Sequence, residues 1–506
     1  LPHCLNKLIK SFYTAADLNP TLILIFFLAY TALLFVITWI TARKTTNRGF
    51  FIGNKASPWF VVAYGMIGAS MSGVTFMSVP GWVGTSGFSY MMVVIGYVFG
   101  YLAIANVLLP LYYRMNLTSI YSYLETRFGS WSYKTGAFYF ILSRTIGASF
   151  RMFLVVNVLQ IFIFDAWNIP FFVTVSIFIV LILLYTFKGG IKTIIWTDTI
   201  QTTFMLLALV LSILIIIDRM GLSLSDMIVT VAESPYSKMM ILDWSDRRFF
   251  IKELLSGAFI AIVMTGLDQE MMQKNLSCRS LHDAKKNMYT FTGIMVAVNL
   301  VILFMGASLY LFAGFSSIEI PARTDDLFPV IAINYLGPAA GLIFLIGLIS
   351  AAYPSADGAL TSLTTSFSID FLGLDKRNDI GENEKKKIRQ RVHIVFACIL
   401  LITIVLFRAI NDRAVIDRLF TIAGYTYGPL LGLYAFGLFT RRNVNDRLVP
   451  LIAILSPVIC YFLSDYSTML FNGYKFGFEL LILNGFITFA GLFIARKKIA
   501  GNETFS

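Results

Sequence analysis

The feature that most constrains this chain is its succession of long apolar stretches. Thirteen are bounded by charged or turn residues, at roughly 20–40, 58–82, 88–113, 138–164, 169–185, 196–217, 254–266, 289–312, 338–371, 392–407, 419–439, 448–463 and 479–495. A helix of about 20 apolar residues crosses a bilayer. Several stretches are longer, which implies tilt or extension into water. A β-barrel needs short segments of alternating polarity, and that alternation is absent from the sequence. Backbone groups in hydrocarbon must be satisfied within the segment, which leaves helices. The expected fold class is an all-α polytopic membrane protein with about 13 transmembrane helices.

Charge placement tests this reading. Only 13% of the 506 residues are charged, against about 25% in a soluble domain. The formal net charge of +12 would suggest nucleic acid in a soluble chain. Here it reads as topology. With the N-terminus outside and the C-terminus inside, 26 of the 40 Lys and Arg fall on inside loops and the tail, and 12 fall outside. That is the positive-inside bias. It implies a multi-pass protein of the cell (inner) membrane, with a lipid bilayer and no nucleic acid among its partners. Lys385, Lys386, Lys387, Arg389 and Arg391 form the largest basic cluster, read as an anchor facing anionic headgroups. The longest outside loop, about 218–253, has room for one short amphipathic helix.

Soluble chemistry is not visible. The sequence has no GxxxxGK[ST] and no HExxH. His3, His282 and His393 sit at terminal or loop-edge positions, and Cys4, Cys278, Cys398 and Cys460 lack disulfide or zinc spacing. The first eighteen residues are polar and mixed, so no secretory leader is expected. The eleven residues after 495 are too few for a signalling kinase. Neither an enzyme nor a sensor is expected.

The informative places are those where apolar continuity breaks. Residues 65–75 of the second stretch are rich in Gly, Ala, Ser and Thr, and Pro80-Gly81 follows shortly after. Small residues permit close helix packing; an unwound helix would instead free carbonyls for a cation. The seventh stretch has a milder version at Gly257 and Gly266, five spans later. Paired interruptions of this kind point to an inverted-repeat transporter. In the ninth stretch Asp357 lies far from either end, beside Pro354, Ser355 and Gly358. A carboxylate there must be protonated, paired or bound to an ion. Asp198 lies near the start of the sixth stretch, where it would bond free helix N–H groups. Arg144 and Arg151 are seven residues apart on one face of the fourth stretch. They would pair with an anionic substrate or with a structural carboxylate.

Four stretches carry a resemblance: GASMSGVTFMSVPGW (68–82), GGIKTIIWTDTIQ (189–201), SAAYPSADGALTSLTTSFSIDF (350–371) and GYTYGPLLGLYAFGLFTRR (424–442). In this order they resemble the sodium:solute symporter family. The resemblance implies the leucine-transporter fold, with a five-plus-five inverted repeat in spans two to eleven. Residues 1–57 would be an extracellular N-terminus and first helix, 58–440 the transport core, and 441–506 two peripheral helices with a short cytoplasmic tail. It implies a sodium site from the carbonyls of Gly68, Met71 and Ala351 plus Ser355. Pro354 stands in place of the first of two family hydroxyl residues, so a carbonyl, water or Asp357 would complete the set. Asp198 matches an Asp that some members use for a second sodium. Asp357 and Gly358 stand where those members have hydroxyls, so a carboxylate site for a cation or proton is the alternative. Ser72, Thr75 and Tyr90 would line the substrate pocket. Arg151, in competition with Arg144, matches the Arg that holds a carboxylate in the sialic acid branch. Val94 stands at that branch's polar pocket position, which argues against sialic acid itself. The implied function is sodium-coupled symport of a small polar or anionic organic solute by alternating access. The alternative is proton or other-cation coupling through Asp198 and Asp357.

Overall fold

The computed structural model describes residues 20–42, 46–408 and 415–495. The segment holding His3 and Cys4, and the tail after Ala495, lie outside the described residues. Among the described residues there is no β-strand; two isolated bridges join Ser57 to Cys278 and Ile241 to Phe249. The principal helices are α1 (Pro20–Thr41), α2 (Trp59–Ser70), α3 (Gly73–Ser86), α4 (Tyr90–Ala103), α5 (Ser130–Leu159), α6 (Phe171–Arg219), α7 (Leu224–Glu233) and α8 (Phe250–Ala261). They continue with α9 (Gln269–Leu276), α10 (Leu281–Phe315), α11 (Pro338–Ser366), α12 (Glu382–Arg408), α13 (Val415–Phe439), α14 (Val449–Asp465) and α15 (Leu480–Ile494).

Eight helices are long and apolar enough to cross a membrane, or up to ten if each of two bent pairs is one span. The bent pairs are α2 with α3, at 58°, and α8 through its following turn with α9, at 65°. Both fall on the breaks expected in the second and seventh stretches. Outer helices carry apolar residues toward the exterior, as Leu28, Val36, Trp39 and Ile40 do on α1. An apolar exterior of this kind fits lipid rather than water.

The hub is α11. From Gly347 to Ser366 every residue is buried. It packs against α2, α3, α5, α6 and α9. Its hydroxyl-rich run is therefore an interior seam between helices. His393 belongs to this interior rather than to a loop edge: its Nε2 lies 2.9 Å from Thr186 Oγ1 and its Nδ1 2.8 Å from Thr364 Oγ1. It thereby ties α12 to α6 and α11. Arg389, grouped with the basic anchor in sequence, stacks 4.0 Å over the Phe50 ring and donates to Asn47. Packing claims one member of that cluster.

The long loop between α6 and α8 contains the expected short helix, α7. Ser223 caps it reciprocally with Asp226. The Ser223 hydroxyl and amide hold the Asp226 carboxyl below its ordinary value.

The fifth and sixth stretches run as α6 with a break at Gly190, which has φ 57 and ψ −154. An L side chain is strained there, and a Cβ would lie 2.6 Å from Phe50 Cα. Gly190→Ala is expected to cost roughly 1–3 kcal/mol from backbone strain alone. A thermal melt in detergent checks this. Gly293→Ala, inside α10 where nothing lies within 4 Å of the new Cβ, should leave the melt unchanged or slightly raised, since Ala favours a helix interior over Gly.

Candidate substrate and ion site

The site begins at the break between α2 and α3. Met71 has φ −87 and ψ 83, outside helical geometry. The hydrogen-bond ladder steps from Met71 N–H→Ile67 O to Phe76 N–H→Ser72 O. The carbonyls of Gly68 and Met71 fall between these rungs and accept no i+4 amide. α11 packs against both halves of the break. A Cβ on Gly73 would lie 3.6 Å from Leu348 of α11. On that helix Pro354 has no N–H, so the carbonyl four residues before it also lacks its amide. Ala351, Pro354, Ser355 and Asp357 are all buried. Ser350 Oγ, Ser355 Oγ and Asp357 Oδ1 have no hydrogen-bond partner. Buried oxygens normally find a donor. Oxygens left over in this way suit a hard cation.

Beside the break lies a cavity of about 80 Å³. Ser72, Thr75, Tyr90, Arg144 and Arg151, the five residues expected for substrate, all line it, and so does Met71. Tyr97, Tyr101, Thr265 and Asn299 also line it. Sequence reasoning missed these four because each is an ordinary polar residue in an apolar run. Val94 is buried and is not among the lining residues. A second cavity, of about 760 Å³, includes Trp82, Arg248, Lys252, Arg323 and Phe478 in its wall. Four aromatic rings stand between the two. Trp82 is 6.1 Å from Tyr90 and 6.1 Å from Phe478, and Phe478 is 4.8 Å from Phe420.

The two arginines have different surroundings. Arg144 pairs with Glu270 and lies 3.8 Å from Asp268. The structural ion pair therefore holds for Arg144. Arg151 makes no ion pair among the described residues, and its Nε is buried without a partner.

The carboxylates that meet Arg144 come from α9. The seventh stretch ends at Gly266 in sequence, but the helix resumes after the bend. Asp268 caps it, accepting from Glu270 N at 2.9 Å and Met271 N at 3.2 Å. Tyr427 O–H donates to Asp268 at 3.0 Å. Glu270 and Lys274, one turn apart, are 3.3 Å apart at their charged atoms. Lys274 Nζ then reaches Asp198 Oδ2 at 2.6 Å. Asp198 is thus no N-terminal helix carboxylate. It lies eight residues past the Gly190 break and is held by an ammonium. Lys274, counted with an inside loop in the charge tally, is buried. Asp357 accepts from Tyr185 O–H at 2.6 Å. The missed signal was an N-cap Asp followed by Glu and Lys at i,i+4 spacing.

The sequence profile of the sodium:solute symporter family matches residues 50–447. The chain belongs to that family. As a member it is a sodium-coupled solute transporter and not an enzyme. A sodium/sialic acid symporter of Proteus mirabilis is 24% identical, over 94% of this chain and 95% of its own length. The human sodium-coupled monocarboxylate transporter 1 is 25% identical, over 81% of this chain and 67% of its own length. A Na+-coupled sialic acid symporter solved in a substrate-bound outward-open state superposes with a TM-score of 0.80 at 20% identity, covering 93% of this chain and 98% of that one. This likeness establishes a shared fold.

The symporter's two arginines are separable by stability. Arg144→Ala leaves Glu270 less well compensated in the interior, which is expected to cost about 3–5 kcal/mol. Arg151→Ala removes a buried charge with no ion-pair partner and should leave the melting temperature unchanged or raised. Thermal unfolding of the two purified variants checks this.

Proposed function

We propose that this symporter imports a small organic anion bearing a carboxylate, together with sodium, by alternating access. The observation that carries this reading is Arg151. Its guanidinium is buried, has no carboxylate partner among the described residues, and lines the cavity beside the broken span. A charge in that position needs an anion to answer it. Arg also presents paired N–H groups that match a carboxylate. Ser72, Thr75 and Tyr90 supply hydroxyls around the same space. Sodium would bind at the carbonyls of Gly68, Met71 and Ala351 and at Ser355. Bound there, it would join α2 to α11 and favour the outward-facing state. Substrate would then close the aromatic layer of Tyr90, Trp82, Phe420 and Phe478. Release of sodium inward gains about 2.3 kcal/mol per charge per 100 mV of membrane potential.

The topology belongs to the same reading. Thirteen crossings would place the N-terminus outside and the C-terminus in the cytoplasm of a cell (inner) membrane. Residues 58–440 would form the five-plus-five core, with two peripheral helices after it. Support comes from the 26-to-12 division of Lys and Arg and from the two bent pairs five crossings apart.

The test is binding and uptake. Purified protein is screened against a set of small carboxylates with and without sodium, and hits are followed by uptake into proteoliposomes. Sodium-dependent uptake of a carboxylate is expected, abolished in Arg151→Ala. Uptake indifferent to a sodium gradient but driven by a proton gradient would select the proton-coupled alternative. Ser355→Ala removes one hydroxyl bonded to a charged group, worth about 1.5–3 kcal/mol. It should raise the half-saturating sodium concentration roughly tenfold or more. An unchanged sodium response would remove Ser355 from the site.

A further inference from the structure

A second sodium ion at Asp198 is what the sequence left open. The residues around Asp198 do not fit one. Lys274 Nζ lies 2.6 Å from Asp198 Oδ2 and 3.3 Å from Glu270 Oε1. All three side chains are buried, with Lys274 at 1% exposure. The position beside Asp198 where a mobile cation would lie therefore holds an ammonium covalently tied to α9.

Gly358 carries the same message from the opposite side. A Cβ built on it would lie 2.3 Å from Glu270 Oε1. The room that a hydroxyl side chain would occupy there is taken by the Glu270 carboxylate. That carboxylate in turn holds Lys274 from one face and Arg144 from the other. Three features thus agree: an ammonium on Asp198, a carboxylate against Gly358, and a bond between the two.

We propose that Lys274 is a built-in cation that replaces a second sodium ion, so that this symporter binds one sodium per cycle. α9 is the second half of a bent span, and Asp198 lies on α6. The Lys274–Asp198 bond therefore joins the second half of a bent span to its neighbour without drawing an ion from solution. Coupling through this contact costs no sodium. This inference rests on the sodium-coupled reading above.

The test counts ions. Radioactive sodium is titrated onto the purified chain at equilibrium. One ion per chain is expected for the wild type. Lys274→Gln leaves the Asp198 carboxylate without its ammonium and should bind two. Asp198→Asn combined with Lys274→Met removes both charges and should return to one. Two ions on the wild type would overturn the inference, since the oxygens Asp198 Oδ1 and Asp357 Oδ1 accept no hydrogen bond and would be the place for the extra ion. One ion on a folded Lys274→Gln would overturn it as well. If Lys274→Gln does not fold, the counts on the wild type and the doubly neutral variant decide between the same outcomes. No sodium bound to the wild type would overturn the sodium-coupled reading itself, which is a different failure.

Discussion

A charge taken out of water has to be answered by another charge, and this protein arranges its centre around that requirement. Arg144, Glu270, Lys274 and Asp198 alternate in sign across three helices, α5, α9 and α6. Each member would be expensive to bury alone. Joined, they fix how the second half of one bent span meets two helices of the other half of the chain. Buried ion pairs often give little net stability over an apolar replacement. Their value here is positional, because removing one member leaves its neighbour uncompensated. The same rule makes Arg151 informative. Its guanidinium makes no ion pair among the described residues, and it lines the cavity beside the broken span.

Backbone accounting works alongside charge accounting. A helix broken at membrane depth leaves carbonyls that hydrocarbon cannot satisfy. The break at Met71 is tolerated because it faces a cavity and the buried seam of α11. The bend before α9 is tolerated because Asp268 caps the new helix start. Breaks and buried charges therefore converge on one region.

Much of the fold was legible from periodicity and length. Each of the thirteen apolar stretches overlaps a helix in the structure, and the two interrupted stretches are the two that bend. The residues expected around the substrate, Ser72, Thr75, Tyr90, Arg144 and Arg151, converge on one cavity, although Arg144 is paired with Glu270. What escaped was the role of α9. Asp268, Glu270 and Lys274 read as polar loop because they follow the last apolar residue of their stretch. Hydropathy reports the average surroundings of a segment. It cannot distinguish a charge in water from one buried against an opposite charge. His393 was misread for the same reason.

The sequence by itself determined that this chain is helical and membrane-spanning, and where its helices break. These are local properties, set by residue hydrophobicity, charge and backbone capacity within a few turns. Only the tertiary structure decided which buried charges pair with each other and which have no ion-pair partner among the described residues. Arg144 and Arg151 share a helix face two turns apart, and Asp198 and Asp357 are both carboxylates in apolar runs. Their roles separate because α9 brings Glu270 to Arg144 and Lys274 to Asp198, across 126 and 76 residues of sequence. Pairing depends on distance in space, and no local reading of the chain contains that distance.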